Sequence, residues 1–286
     1  MHFGNLTGRA TIFADGLAYD VAALSGGTFS DDPMEVLSVW GDFRTWAARA
    51  PFTDGRPFDS VDLGAPSPRP GQVFAIGLNY RDHAAEAGLP LPDDLTVFTK
   101  FASSLTGPVT DVVLSGPTVD WEAELVVVIG RPTRHVSADQ AWDHVAGVTV
   151  GQDISDRTVQ TAGPVPQFSL GKSFAGYSPI GPWLVTPDAL ADPDDLAIET
   201  RVSGEVVQRG RSGDMVFPVA EAIARLSRIV TLHAGDLIFT GTPAGVGMSA
   251  RPPRFLRDGD TLETAIDGIG VLRQSFVAGS EPTSTP

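Results

Sequence analysis

Two glutamates stand two residues apart at the head of an apolar run in VDWEAELVVVIG, Val119 to Gly130. Leu125-Val126-Val127-Val128-Ile129 has the β-branched bias of a core strand and is closed by a glycine. On a strand, Glu122 and Glu124 point to one face with Cβ atoms about 6–7 Å apart. Two like charges so placed beside a buried run are costly if left unpaired. A divalent cation between them would turn repulsion into chelation, and hard oxygen ligands suit Mg²⁺, Mn²⁺ or Ca²⁺. Two carboxylates rarely suffice. Asp153 in VTVGQDISDRTVQ, at the end of a second apolar strand, is the candidate third ligand. Three carboxylates on an octahedral ion leave about three positions for water and substrate, the open geometry of a catalytic metal. A solvated strand head and a turn aspartate would share this spacing, and spacing alone does not choose between the two.

A second pair lies in NYRDHAAE, where His83 and Glu86 are three apart and share a face of any helix formed there. A glutamate bonded to one imidazole nitrogen fixes the tautomer and leaves the other a better base toward a nearby water. Such a base is worth about 10²–10⁴ in rate. Taken alone, the pair would read as a surface helix contact. His2, His135, His144 and His233 lack comparable company and read as structural or exposed. The glycine-rich run TGTPAGVG, Thr240 to Gly247, lacks the lysine and the helix start of a phosphate-binding loop, which excludes that form of nucleotide binding.

The elements that must position these residues are legible in outline. Residues 8–24 alternate around Asp15-Gly16 and read as a hairpin. Asp31-Asp32-Pro33 supplies an N-cap and an N1 proline for a helix through about Arg49. The turn-rich stretch 51–70 reads as a linker, giving a small N-terminal domain, 1–65, a catalytic body, 70–278, and a frayed tail, 279–286. In the body, a strand through Ile76 leads to a short helix, Tyr80 to Ala87, ended by Gly88. Ser137-Ala138-Asp139-Gln140 reads as a capping box, and Pro218 to Val230 carries helical spacing. Many strands and few short helices point to a β-rich α+β fold. The formal charge of −15 over 286 residues argues against a nucleic-acid or anionic-membrane partner. The absence of cysteine excludes disulfides and thiolate metal sites and fits a cytoplasmic location.

Taken together, GLNYRDHAAEAG, FTKFASSLTGP, VDWEAELVVVIG, VAGVTVGQDISDRTVQ, GKSFAGYSPIGPWLVT, DLIFTGTPAGVG and LRDGDTLETAIDGIGVLRQ resemble the fumarylacetoacetate hydrolase family, in order from about Val73 to Phe276. The chain closely resembles the smaller bacterial and mitochondrial, acylpyruvase-like members. The resemblance implies a mixed β-roll catalytic domain behind a small N-terminal α/β unit, a bound Mg²⁺ or Mn²⁺ and a homodimer. It also implies that Glu122, Glu124 and Asp153 ligate the metal and that His83 and Glu86 are the catalytic pair. The largest family member adds an aspartate upstream of its histidine; VFAIGLN has no acid there, so a three-ligand site is implied. Lys172 in GKSF matches a lysine that would steady a developing enolate. Arg157 and Gln160 match substrate-lining positions, the arginine suited to a bidentate grip on a carboxylate. Lys100 matches a lysine that either touches substrate or supports Glu122, and Gly241 and Thr242 line the implied pocket.

The chain departs from the family at Ala175, where an aspartate is common after KSF, at Ser203-Gly204 and in DISDRT. The activity implied is metal-dependent hydrolysis of a carbon–carbon bond in a β-diketo acid such as an acylpyruvate. Oxaloacetate decarboxylation and keto–enol isomerisation are the alternatives that keep the same site, and a catalytically silent metal-binding homologue is a third. The segment from about 79 to 95, flanked by Gly77 and the turn LPLPDD, is expected to be a mobile lid.

Overall fold

The computed structural model describes residues 1–279; the tail expected over 279–286 falls almost wholly outside them. Its spine is an eleven-stranded mixed sheet. From one edge the order is Leu17–Asp20, Arg9–Ala14, His2–Leu6, Ser178–Val185, Val145–Gln152, Ala123–Ile129, Leu237–Phe239, Val73–Gly77 and Thr96–Thr99, with two short strands paired off this path. A second sheet of five strands runs Glu205–Arg211, Ala197–Val202, Thr261–Ile266, Gly270–Val277, Val109–Val113. A β-rich fold of two packed sheets is what the alternation of the sequence leads to.

The central strand Ala123–Ile129 is buried along its whole length because it has a core on each face. Ala123, Leu125, Val127 and Ile129 enter a core shared with Ile198, Ile266 and Leu272 of the smaller sheet and with the helix Val219–Ile229. Val126 and Val128 face the other way, into a core with Phe3, Ile12, Leu37, Trp40 and Phe43. Strand parity therefore puts Glu122 and Glu124 on the side of Val126 and Val128, with Ala123 turned toward the smaller sheet. Each fully buried side chain of this run contributes about 1.5–3 kcal/mol, so the strand's register is strongly fixed.

The hairpin around Asp15-Gly16 forms as expected, both turn residues having positive φ. The segment expected as a small N-terminal domain, 1–65, shares the large sheet with the body: His2 and Phe3 pair with Val185 and Leu184. The helix expected over 31–49 is two helices, Pro33–Ser38 and Trp40–Ala47, broken at Val39 (φ −120°, ψ 33°). Breaking there lets Val36 and Leu37 as well as Trp40 and Phe43 reach one core. The segment expected to open with a capping box is a 3₁₀ helix, Ala138–His144. Its Ser137 hydroxyl donates to the Gln140 side chain and leaves the backbone uncapped. No helix of the described residues is long and apolar enough to cross a membrane.

Candidate active site

The strand Ala123–Ile129 pairs antiparallel with Val145–Gln152, which brings Glu124 opposite Gly151 and carries the next residue, Asp153, to the strand head. The Asp153 N–H donates to the Glu122 carbonyl at 2.9 Å, closing this corner. Each of Glu122, Glu124 and Asp153 presents a carboxylate oxygen within 4.8 Å of the others, and all three residues are buried. The expected trio is assembled by register. Gly151 is needed for that approach, since a Cβ there would lie 2.4 Å from Val126 Cγ2.

Three buried cations surround the acids. Lys172 Nζ donates to Glu122 Oε2 at 2.9 Å, Asp153 Oδ2 at 2.7 Å and Ser155 Oγ at 2.8 Å. Lys100 Nζ is bonded to Asp153 Oδ1 and to the Lys172 carbonyl. Arg157 donates from Nη1 to Glu122 Oε1 at 2.6 Å and to Gln160 Oε1 at 2.9 Å, and from Nε to Asp120 Oδ2 at 2.8 Å. Its Nη2 lies 2.7 Å from the same Asp120 oxygen, but the orientation leaves that nitrogen without a true hydrogen bond.

Glu124 stands apart from these pairings. It accepts one backbone N–H, from Gly241 at 2.7 Å, and has no cationic partner among the described residues. Burial pushes its carboxyl well above the usual range, and Asp153 and Glu122 push it further. Burial also acts to raise Glu122, but Lys172, then Arg157 and His83, more than offset it and hold that carboxyl at about 2. Lys172 is held above its ordinary value because Asp153 and Glu122 outweigh the effect of burial, whereas burial prevails at Lys100 and lowers it.

Four carboxylates, Asp120, Glu122, Glu124 and Asp153, thus face three cations, Lys100, Arg157 and Lys172. The carboxyl left without a cation is Glu124, one oxygen of which lies within 4.8 Å of an oxygen of each of the other two. An all-oxygen donor set with an unbalanced buried carboxylate fits a divalent cation. Glu122 and Asp153 spend one lone pair of each oxygen on lysine or arginine, and a carboxylate has about four such sites, so both retain capacity for an ion.

The helix Arg81–Ala87 carries the second constellation and ends at Gly88, whose φ of 68° supplies the left-handed cap. His83 Nδ1 lies 3.2 Å from Glu86 Oε2. A carboxylate can only accept, so Nδ1 carries the proton and Nε2 is left as the basic nitrogen. The helix is fastened to the glycine-rich loop: Glu86 Oε1 accepts from Gly245 N at 3.0 Å and Asp82 Oδ2 from Ala244 N at 3.3 Å. The same loop donates from Gly247 and Met248 to Asp120, at 2.7 and 2.9 Å.

Several of the expected site residues are bonded to one another. Arg157, expected to grip a substrate carboxylate, is engaged on Asp120, Glu122 and Gln160, with Nη2 also 2.7 Å from Asp120 Oδ2. The three protons of Lys172 go to Glu122, Asp153 and Ser155, which sets it against the ligand carboxylates. Lys100 is fully buried and supports Asp153, and neither Glu122 nor solvent is within its reach. Gln160 keeps its amide NH₂ unengaged among the described residues, and Thr242 accepts from Gln208 while its own hydroxyl proton is unspent. Gly241 serves through its backbone N–H. Asp120 was not singled out from the sequence, although D-W-E-A-E places a third acid in phase with the two glutamates. Ser155 and Gln208 offered no sequence signal.

Three comparisons with known proteins bear on this geometry. Residues 72–277 match the family model described as fumarylacetoacetate (FAA) hydrolase C-terminal. The chain is 46% identical over 236 residues to the human "Oxaloacetate tautomerase FAHD2A, mitochondrial", covering 82% of this chain and 74% of that protein. Among solved structures, a putative HpcE protein from Mycobacterium smegmatis superposes with a TM-score of 0.94 at 50% identity, covering 98% of this chain and 100% of that one. Maleylpyruvate hydrolase from Sphingobium sp. SYK-6, solved in complex with manganese (II) ion and pyruvate, gives a TM-score of 0.77 at 27% identity, covering 98% and 100%.

Proposed function

The chain belongs to the fumarylacetoacetate hydrolase family, and on that premise we propose that it is a divalent-metal-dependent enzyme that enolises a 2-oxo acid of the oxaloacetate type. The observation that carries this reading is the Glu122–Glu124–Asp153 oxygen cluster with the His83–Glu86 pair beside it, close enough for His83 to help lower the Glu122 carboxyl. A cation held by Glu122, Glu124 and Asp153 would supply Lewis acidity toward the oxygens of a bound 2-oxo acid.

Everything else is asked of the chain's own groups. His83 Nε2 takes the proton from the carbon next to the oxo group, and the same nitrogen returns it to the oxo oxygen. Glu86 holds the imidazole in the required tautomer and steadies its positive charge while the proton is aboard. The Gly245 N–H fixes the second oxygen of Glu86, so the base is anchored on both sides. Lys172 and Lys100 hold Asp153 and Glu122 in place as spectators to the proton transfer. The amide of Gln160, whose NH₂ has no partner among the described residues, is the donor available to a substrate carboxylate. The relative at 46% identity, named an oxaloacetate tautomerase, supports this assignment.

A second reading keeps the site and lets His83 activate a water that attacks a distal carbonyl, cleaving a carbon–carbon bond in an acylpyruvate. The superposition on a maleylpyruvate hydrolase favours it. One experiment separates them. With Mn²⁺ or Mg²⁺ present, oxaloacetate in D₂O is followed by NMR alongside a panel of acylpyruvates. Metal-dependent keto–enol interconversion of oxaloacetate with no acid product from the acylpyruvates is the expected result. Metal-dependent release of pyruvate and a second acid from an acylpyruvate, with oxaloacetate tautomers interconverting at the buffer rate, would replace the first reading by the second.

A further inference from the structure

The outer strand of the smaller sheet, Glu205–Arg211, spends its one buried position on a polar residue, Gln208. An edge strand gains most from an apolar residue facing the core, so a buried amide there calls for a reason. Its carbonyl Oε1 accepts the Ala123 N–H at 3.0 Å, and its Nε2 donates to Thr242 Oγ1 at 2.8 Å and to the Pro243 carbonyl at 2.9 Å. Both amide protons are spent. The orientation is fixed, because exchanging O and N would set a donor against Ala123 N–H and an acceptor against the Pro243 carbonyl.

Ala123 is the residue between Glu122 and Glu124, and Thr242-Pro243 is the middle of the loop that bonds Glu124 on one side and Glu86 on the other. We propose that Gln208 is a positioning residue that locks the metal-ligating strand head to the loop beneath the helix bearing His83, so that occupation of the acidic cluster and closure of that helix are coupled. The inference rests on the reading of Glu122 and Glu124 as metal ligands.

Packing supports it independently of the hydrogen bonds. A Cβ at Gly245 would lie 2.1 Å from the Val207 carbonyl oxygen and 3.1 Å from Gln208 Cα, and one at Gly210 would lie 2.5 Å from Pro243 Cβ. Loop and strand therefore meet backbone to backbone, with Gln208 at the centre of the contact. Glu122 has a similar staple: its N–H donates to Gln152 Oε1 at 2.9 Å, and Gln152 Nε2 donates to Thr264 of the same small sheet. Two successive N–H groups at the ligand-bearing head are thus held by glutamine side chains. Only Gln208 continues to the loop. Displacing Pro243 moves Gly245, then Glu86, then the imidazole, without any change in the ligand set.

The test is amide hydrogen exchange across residues 81–87, with and without Mn²⁺ plus oxalate, in the wild type, Gln208→Met, Thr242→Val and Glu124→Gln, alongside Mn²⁺ titration by calorimetry. The wild type should show about tenfold slower exchange with Mn²⁺ and oxalate, whereas Gln208→Met should bind Mn²⁺ within about tenfold of wild type and show less than about threefold slowing. Thr242→Val, which removes one of the two Nε2 acceptors, should fall between them. A wild-type ratio in both Gln208→Met and Thr242→Val overturns the proposal. If Gln208→Met does not fold, Thr242→Val decides alone: a reduced ratio supports the coupling and a wild-type ratio removes it. Wild-type protein that binds Mn²⁺ no better than Glu124→Gln would sink the metal reading and this inference together, which is distinct from wild-type coupling that survives both substitutions.

Discussion

Charged residues two apart occur on two neighbouring strands of this protein, with opposite consequences. Glu122 and Glu124 head Ala123–Ile129 and are buried; Glu199 and Arg201 lie on Ala197–Val202 and reach solvent. Glu199 accepts from Arg201 Nε at 2.8 Å and from Arg209 Nη2 at 2.7 Å, so its charge is met locally and screened by water. Glu124 is met by one backbone N–H and two like-charged neighbours. Equal spacing yields an ordinary surface network in one place and an uncompensated buried charge in the other. The difference is the second core that covers the ligand face of the central strand.

The sharpest way to break this contrast is Asp153→Ala. It leaves Lys100 and Lys172 buried with a lost partner, and the metal-free protein should lose about 3–5 kcal/mol in chemical denaturation. Mn²⁺ binding should vanish in the same sample. Denaturation and Mn²⁺ binding both unchanged would show that the cluster is no more consequential than the surface network. His83→Ala comes next: turnover should fall by about 10²–10⁴ while Mn²⁺ affinity stays put, and steady-state assays that found unaltered turnover would remove His83 as the base.

The third prediction concerns pH and separates the two glutamates from each other. Glu124 has a folded pKa raised above the ordinary 4.5, so its contribution to the metal-free protein is full below 4.5 and is lost as pH rises through the raised value. Glu122, held at about 2, does the opposite: its contribution is present above 4.5 and is lost as pH falls through about 2. Glu124→Gln should therefore gain stability relative to the metal-free wild type as pH rises above 4.5, and Mn²⁺ should reverse that ranking. A stability difference independent of pH and of Mn²⁺ would contradict the assignment of Glu124 as the unbalanced charge. The smallest effect belongs to the surface: Glu199→Gln should change stability by no more than about 0.5 kcal/mol, and that change should shrink in high salt. A loss of several times that, persisting in high salt, would mean that burial is not what separates the two strands.

Much of the site was legible in the chain. The acids in D-W-E-A-E alternate at the strand period ahead of a run that can only be core, and His83 and Glu86 are spaced to meet on a helix. The match of Val73 to Phe276 with a known family added roles that spacing alone left open. What the chain did not show is where its long flexible side chains end. Arg157 turns back to Asp120 and Glu122, Lys172 spends its three protons inside the protein, and Lys100 serves Asp153. Such partners come from strands far apart in sequence, and no local pattern encodes them. The break at Val39 is of the same kind, since local propensity continues the helix while packing against the sheet divides it.

By itself, then, the sequence determined the hairpin at Asp15-Gly16, the cap at Gly88 and the common strand face of Glu122 and Glu124. Those features follow from periodicity and backbone sterics, which act within a few residues. Only the tertiary structure decided which acid is left without a cation, that Gln208 reaches from an edge strand to the ligand head, and that the loop at Gly245 grips the helix carrying His83. Those outcomes depend on distance and desolvation between residues tens to more than a hundred positions apart, and such quantities exist only once the two sheets have packed.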